Sequence, residues 1–511
     1  MKKGLTILVV MLCALSLFAS GGKEATPTTS TVPELKGPGN VTLKRLGYNV
    51  GFDVNNDIIV GVTEESTGYK VEYYALPAQN ADEKLLMEVA SGKDYDIVNL
   101  SVDQWRTLVA NGALLPLNDL LDAYGQDILK GNTQDVWKAL SDEKGNIYGV
   151  AYMYPYDTEV NNFMIVRMDL LRKAGIDEVP TTLEGFYNML KTLKAFYGEE
   201  YIILAGPYKN AANGSNSLVF PQIISSAFGI SNDWMVDENN KVYYMSESEK
   251  FDELVSFLAK CASEGLFDPD WAANTTASVT EKFASGRAII ACGDRNLAQA
   301  AIPTLMSNQG LTEDDFGFLG PLEGEDGVCT YQESLNIGKI SAILKNSKNA
   351  ADAINWINLK IQDQLFINIG VEGVHFYYDE EGQIAPINPI FADERGNSFY
   401  YIDATDAEEF KFEWPSRIRK SAAQWLAFEN VTLKTNAERP EVFVKNPFAF
   451  MPASENYAKY NTTLLNSLND FVLQVMAGKR NVSDIPTYMS DWKNNGGEAV
   501  RAELQSYIDA Q

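Results

Sequence analysis

Along the chain, apolar positions alternate between a period near two and a period near 3.6, and the switch recurs. Residues 41–46 (VTLKRL) form a short extended run, and the polar cluster 53–57 (DVNND) caps a helix that runs to about Ser66 and closes at Gly68. A second extended run, 70–76 (KVEYYAL), leads into an amphipathic helix over 80–90 with Leu85, Leu86 and Val89 on one side, ended by Gly92. The third run, 96–100 (DIVNL), precedes a helix carrying Trp105, Leu108 and Val109, then 115–117 (LPL) and a helix over 118–124. This alternation predicts a mainly parallel sheet covered on both faces.

Residues 145–152 (GNIYGVAY) are extended and 154–156 (YPY) read as a hinge, where the chain crosses into a second lobe. There, 162–167 is a strand, 168–174 a helix closed by Gly175, and 179–184 (VPTTLE) caps a helix reaching Ala195. Residues 251–262 (FDELVSFLAKCA) have helical spacing closed by Gly265. The DPD at 268–270 then caps a turn, and a short helix runs from Thr280 to Gly286. The apolar run 288–292 (AIIAC) delivers Gly293, Asp294 and Arg295 to its carboxyl end, where the ligand crevice of an open α/β sheet lies. Returning that run to the first lobe gives lobe boundaries of 40–155 plus about 288–345 for the first and 156–287 plus about 346–511 for the second. Helices near 349–359, 421–427, 455–477 and 498–509 then cover the second lobe and hinge. Acidic turns at 142–145, 237–240 and 379–382 read as hairpins or tight loops. Two lobes joined by several crossings make a clamshell that binds ligand between them.

The amino terminus adds a compartment. Met1-Lys2-Lys3, an apolar stretch over 5–18 and the small residues Ala19-Ser20-Gly21-Gly22 predict a signal peptide over 1–21. Its core is shorter than the roughly 20 apolar residues that span a bilayer. The Pro/Thr-rich stretch that follows makes 22–39 a disordered lead-in. A length of 511 residues predicts more than one domain. A net charge of −27 without a basic block argues against nucleic acid and anionic membranes as partners. It also disfavours a polyanionic ligand unless a local basic pocket overrides it. Cys261, Cys292 and Cys329 are spaced for neither a zinc site nor a disulfide framework and read as buried thiols. His375 is the only histidine, which removes His-pair zinc and two-His iron sites. Neither a G-x-S-x-G nucleophile setting nor a phosphate loop occurs. Asp53, Asn55, Asp57 and Glu64 share the spacing of an EF-hand loop, but Ile58 takes its glycine position and a helix cap explains them better. No metal and no cofactor is expected.

Two passages, 264–295 (EGLFDPDWAANTTASVTEKFASGRAIIACGDR) and 167–196 (RMDLLRKAGIDEVPTTLEGFYNMLKTLKAF), resemble the extracellular solute-binding proteins of ABC importers, the maltose-binding-like superfamily in its larger, oligosaccharide-binding type. The resemblance covers nearly all of the mature chain and is densest at 146–196, 234–295 and 366–378. It implies an α/β, two-lobed periplasmic-binding-protein-like (type II) clamshell with extra C-terminal helices. It also implies a non-enzymatic monomer that captures a small-molecule carbohydrate and delivers it to ABC permease subunits in the membrane. Many bacterial relatives carry a lipid-modified Cys directly after the apolar core. Ser20 stands there instead and Cys13 lies inside the core, so cleavage after Gly21 is expected to leave a free periplasmic or cell-surface protein. Some relatives also carry a calcium loop after the helix corresponding to 183–195, for which 196–200 (FYGEE) is too short.

A sugar binder stacks ring faces on aromatics and bonds hydroxyl edges with carboxylates, amides and Arg. Candidate ligand contacts are Trp105 near the start of its helix, Tyr154 and Tyr156 at the hinge, Trp234 before a hairpin, and Trp414 in an irregular EWPSR loop. Asp294 and Arg295 join them at the strand tip, as do Glu372 and His375 within 370–376 (GVEGVHF), which resembles a GxEGxHY stretch of relatives. Each has a structural alternative in core packing, a solvated turn or loop shaping. Alanine at Trp105, Trp234 and Trp414 is expected to weaken binding without unfolding the protein. A secreted glycoside hydrolase using two carboxylates, and a peptide-binding or sensor-associated clamshell, are the alternative readings.

Overall fold

The structure is a computed structural model that describes residues 32–142, 144–154, 158–206, 220–333, 337–380, 382–449, 451–452 and 454–511. The signal segment, the start of the lead-in and Tyr156 lie outside the described residues. Strands β1 (Thr42–Gly47), β2 (Lys70–Ala75), β3 (Ile97–Leu100) and β4 (Val150–Met153) precede the first crossing. They are followed by β5 (Phe163–Arg167), β6 (Ile202–Ala205), β7 (Trp234–Val236), β8 (Val242–Tyr244), β9 (Ala288–Gly293), β10 (Phe316–Leu319), β11 (Tyr331–Gln332) and β12 (Ile337–Ile343). The short strands β13 (Phe376–Tyr378), β14 (Ile384–Pro386) and β15 (Phe443–Val444) complete the set.

The first sheet has the order β2-β1-β3-β12-β4 and the second β10-β5-β9-β6. In the first, β1 runs parallel to β2 and β3, while β12 lies antiparallel between β3 and β4. The sheet is therefore mixed where mainly parallel pairing was expected. In the second, β9 is antiparallel to β5 and parallel to β6. The two-lobed α/β clamshell with added C-terminal helices is the observed architecture.

Two lobe assignments are corrected. The apolar run at 288–292 belongs to the second sheet, not the first, and every residue of β9 is buried there. A continuous apolar run suits any strand covered on both faces, so its composition cannot choose the sheet. The strand that returns to the first lobe is β12. Residues 346–511 are also divided. Ile354, Trp356 and Ile357 of helix Ala350–Gln362, together with Tyr400, Tyr401 and Ala404, pack in the first core with Leu43, Ile97 and Leu121. The second core takes Leu464, Leu468 and Phe471 of helix Glu455–Met476 and Val500 and Leu504 of helix Glu498–Asp509.

Local chemistry sets the element ends. Asp57 caps helix Ile58–Thr67 by accepting from the Ile59 amide, and Gly68 closes it at φ 71°, a left-handed geometry that favours glycine. Asp53 accepts from the Asn55 amide and the Asn56 side chain, so the EF-hand-like spacing builds a turn and a cap. The lead-in is held sooner than expected. Lys36 and Gly37 donate backbone N–H bonds to Asp352, and the Tyr124 hydroxyl donates to the Pro33 carbonyl. Cys261 and Cys292 are buried, and burial pushes both thiols up to about 12.

At the junction of the lobes lies helix Ala407–Arg419, which contains Trp414 and Pro415 where an irregular loop was expected. Trp414, Phe410 and Ile418 form a small core with Tyr152, Ile402 and Phe428. Beside it, Asp403 is fully buried and accepts from Arg45 Nε (2.8 Å), Lys360 Nζ (2.6 Å) and Ser341 Oγ (2.7 Å). Burial opposes its charge, but Arg45 and Lys360 hold the carboxyl below the usual carboxylate range.

Glu413 of the same helix is the opposite case. Burial pushes its carboxyl up to about 7, against a hydrogen bond from Asn368 Nδ2 at 3.0 Å. The folded value lies above the ordinary 4.5, so this group's stabilisation is complete below about pH 4.5 and is lost as pH rises through about 7. Glu413→Gln keeps the acceptor for Asn368 and removes that loss, worth about 3 kcal/mol in all. It should raise the melting temperature near pH 8 and leave it unchanged near pH 4, as thermal unfolding at the two values would show.

Candidate functional site

A cavity of about 280 Å³ lies where the lobes meet. The first lobe contributes Arg106. The crossing segments contribute Asn161, Asn162, Tyr331, Gln332 and Glu333, and the second lobe Gln222, Asn232, Asp233, Trp234, Asn446, Phe448, Met451 and Tyr457. Its lining mixes amide and carboxyl groups with aromatic planes.

Arg106 reaches the cavity because Ser101 and Gln104 form a capping box at the start of helix Val102–Ala110, directly after β3. Its guanidinium lies 5.3 Å from the Tyr457 ring centroid, and Nη2 donates to the Met451 carbonyl at 3.4 Å. One side chain thus ties the first lobe to the second. Opposite it, Trp234 Nε1 donates to Asn461 Oδ1 at 2.9 Å, and Asn461 Nδ2 donates to Asp233 Oδ2 at 3.3 Å. This relay fixes the Asp233 carboxyl. Burial raises its pKa, and Asn461 and the Trp234 amide oppose the shift.

Toward the hinge stands an aromatic wall. Tyr154 contacts Trp414 (5.4 Å between centroids), Tyr152 (5.8 Å) and Phe399 (6.3 Å). Arg295 lies 5.6 Å from the Trp414 ring and pairs with buried Glu159 at 2.7 Å. Burial raises the Glu159 carboxyl and Arg295 offsets part of that. The Arg417 guanidinium lies 4.9 Å from the Phe399 ring, and the Lys339 ammonium 5.0 Å from the Tyr48 ring.

The residues expected at the site divide accordingly. Tyr154, Arg295 and Trp414 meet at the hinge wall, and Trp234 lines the cavity as a 1 % exposed floor residue. Trp105 is corrected. It is 1 % exposed inside the first core, with Nε1 donating to the Tyr148 carbonyl, and no ring face is open to a sugar. Successive helix residues point about 100° apart, so burying Trp105 turns Arg106 outward instead. Asp294 caps helix Arg295–Gln309 by accepting from the Asn296 and Leu297 amides. His375 shapes its own loop. Its Nδ1 accepts from the Val371 amide at 3.0 Å and Nε2 lies 3.0 Å from Glu394, while Glu372 is solvent-exposed beside it. Arg106, Asp233, Tyr331 and Tyr457 were not anticipated. The available signal was adjacency, since Arg106 and Asp233 each neighbour a singled-out Trp. Among the described residues, no group of three or more His, Cys, Asp or Glu could hold a metal ion.

The profile of a family described as bacterial extracellular solute-binding protein matches residues 57–360. Lipoprotein LipO of Bacillus subtilis (strain 168) is 22% identical over 457 residues, 86% of each chain. Among solved structures, the alginate-binding protein AlgQ2 without calcium ion aligns at a TM-score of 0.69 and 16% identity, over 92% of this chain and 98% of its own. The ABC-transporter substrate binding protein FusA of S. pneumoniae, in complex with kestose, aligns at 0.64 and 18% identity over 92% and 99%. At these identities the structural likeness is one of fold.

Proposed function

The chain belongs to the bacterial extracellular solute-binding proteins, and we propose that it captures an oligosaccharide between its lobes and delivers it to the permease subunits of an ABC importer. The observation that carries this reading is the lining of the interlobe cavity. Amides of Asn161, Asn162, Gln222 and Asn232 and the Asp233 carboxyl can bond sugar hydroxyls, while half-buried Tyr457 offers aromatic surface. AlgQ2 and FusA, named for alginate binding and crystallised with kestose, support a saccharide as ligand. The family and these neighbours are binding proteins, so capture without chemical change is the expected activity. The protein would work exported and as a monomer. Among its described residues no helix is long and apolar enough to cross a membrane.

A thermal-shift screen of the mature protein against oligosaccharides and short peptides tests the reading. A ligand at a hundred times its dissociation constant adds about 2.7 kcal/mol of stability and raises the melting temperature visibly. A saccharide recovered unchanged supports capture, one that is consumed transfers the case to a glycosidase, and peptide hits alone overturn the carbohydrate ligand. Arg106→Ala should weaken binding of the active sugar by about 1–3 kcal/mol, since one charged donor and the bridge between the lobes are lost together. Calorimetric titration of the variant against the unsubstituted protein measures it.

A further inference from the structure

We infer that the hinge end of the cleft is a cationic subsite built from Lys339 and Arg417, and that the captured oligosaccharide carries a negatively charged sugar unit there. This rests on the carbohydrate reading and narrows it. Lys339, on β12, places its ammonium 5.0 Å from the Tyr48 ring centroid. Arg417, from helix Ala407–Arg419, is nine-tenths buried. It lies over Phe399 and donates from Nη1 to Ser398 Oγ at 2.8 Å. Lys339 pairs across the sheet with Tyr152 of β4, whose ring lies 5.1 Å from the Phe399 ring under Arg417, which puts both cations along one aromatic wall.

Neither cation has an ion-pair partner among the described residues. The nearby carboxylates are engaged elsewhere or distant. Glu159 is held by Arg295 at 2.7 Å, Glu413 is buried and bonded to Asn368, and Asp82 reaches Lys339 only through space. Burial lowers the pKa of both Lys339 and Arg417, and Asp82 and Glu413, which act on them through space, offset only part of it. In a chain of net charge −27, two cations without an ion pair at the junction of the lobes mark a place where an anion completes the structure. Aromatic rings on the same wall suit the apolar face of the sugar bearing that anion. A uronate carboxylate and a sugar sulfate share this chemistry.

Calorimetric titration of the mature protein with trigalacturonate, a trimannuronate, a sulfated disaccharide and neutral trisaccharides tests it, repeated with Lys339→Gln and Arg417→Lys. Acidic probes should bind at least about tenfold tighter than neutral ones, and Lys339→Gln should remove most of that preference. Binding of the uronates alone or of the sulfated probe alone both support the subsite and identify its anion. Neutral sugars binding as tightly as the acidic probes, or an acidic preference unmoved by Lys339→Gln, overturn the subsite while leaving the carbohydrate reading intact. Failure of every saccharide overturns both. Arg417→Lys keeps the charge, so a folded variant with retained preference separates charge recognition from loss of packing.

Discussion

Replacing Asp403 by alanine should destabilise the protein by about 3–5 kcal/mol, because it strands two buried cations at once. Arg45 and Lys360 reach this carboxylate from β1 and from helix Ala350–Gln362, and Ser341 reaches it from β12. Water cannot replace the lost partner at a side chain with no exposed surface. Asp403→Asn retains an acceptor and should fall between the unsubstituted protein and the alanine variant. Urea unfolding of the three proteins gives the order, and equal midpoints for Asp403→Ala and the unsubstituted chain would contradict it. The residue also matters for the cleft. The same triad pins the segment that carries Phe399, so its loss should loosen the aromatic wall as well as the first core.

Trp234→Ala should cost about as much, roughly 3–5 kcal/mol, and so should not be a clean binding mutant. The indole packs 4.9 Å from Tyr244 and 5.7 Å from Trp492, and its Nε1 begins the relay through Asn461 to Asp233. Alanine removes the floor of the second core and frees the Asp233 carboxyl together. Trp234→Phe separates the two roles. It fills most of the space but lacks the donor, so it should melt near the unsubstituted protein and still bind ligand more weakly. Thermal melts with and without ligand decide between these outcomes. The earlier expectation that tryptophan-to-alanine changes would spare the fold treated these rings as surface platforms, and burial reverses it for Trp105 and Trp234.

Secondary structure was legible where short-range chemistry decides it. Asp57 and Thr182 accept amide bonds at helix starts, and Gly68 closes its helix in a left-handed conformation. The sheet membership of β9 was not legible, because AIIAC buries equally well beside β3 or β5 and only the path of the crossings distinguishes them. The site divides the same way. The helix after β3 brings Arg106 to the interlobe cavity, and the choice between Trp105 and Arg106 depends on a single step of helical rotation. Asn161, Asn446 and Tyr457 come from three distant segments that meet only through packing of the second core, and no local spacing announces them.

The way the two sheets interleave also dictates the order in which a nascent chain can mature. β4 has β12 as its neighbour, so the first sheet keeps an open edge throughout synthesis of the whole second-sheet strand set. The first core then becomes complete once residues near 400–404 have emerged, whereas the second must wait for Val500 and Leu504. Such long-range closure slows folding and prolongs the exposure of apolar strands such as β5 and β9. A chain that stops short of its last helix therefore leaves the ribosome with a finished first half and an open, aggregation-prone second half.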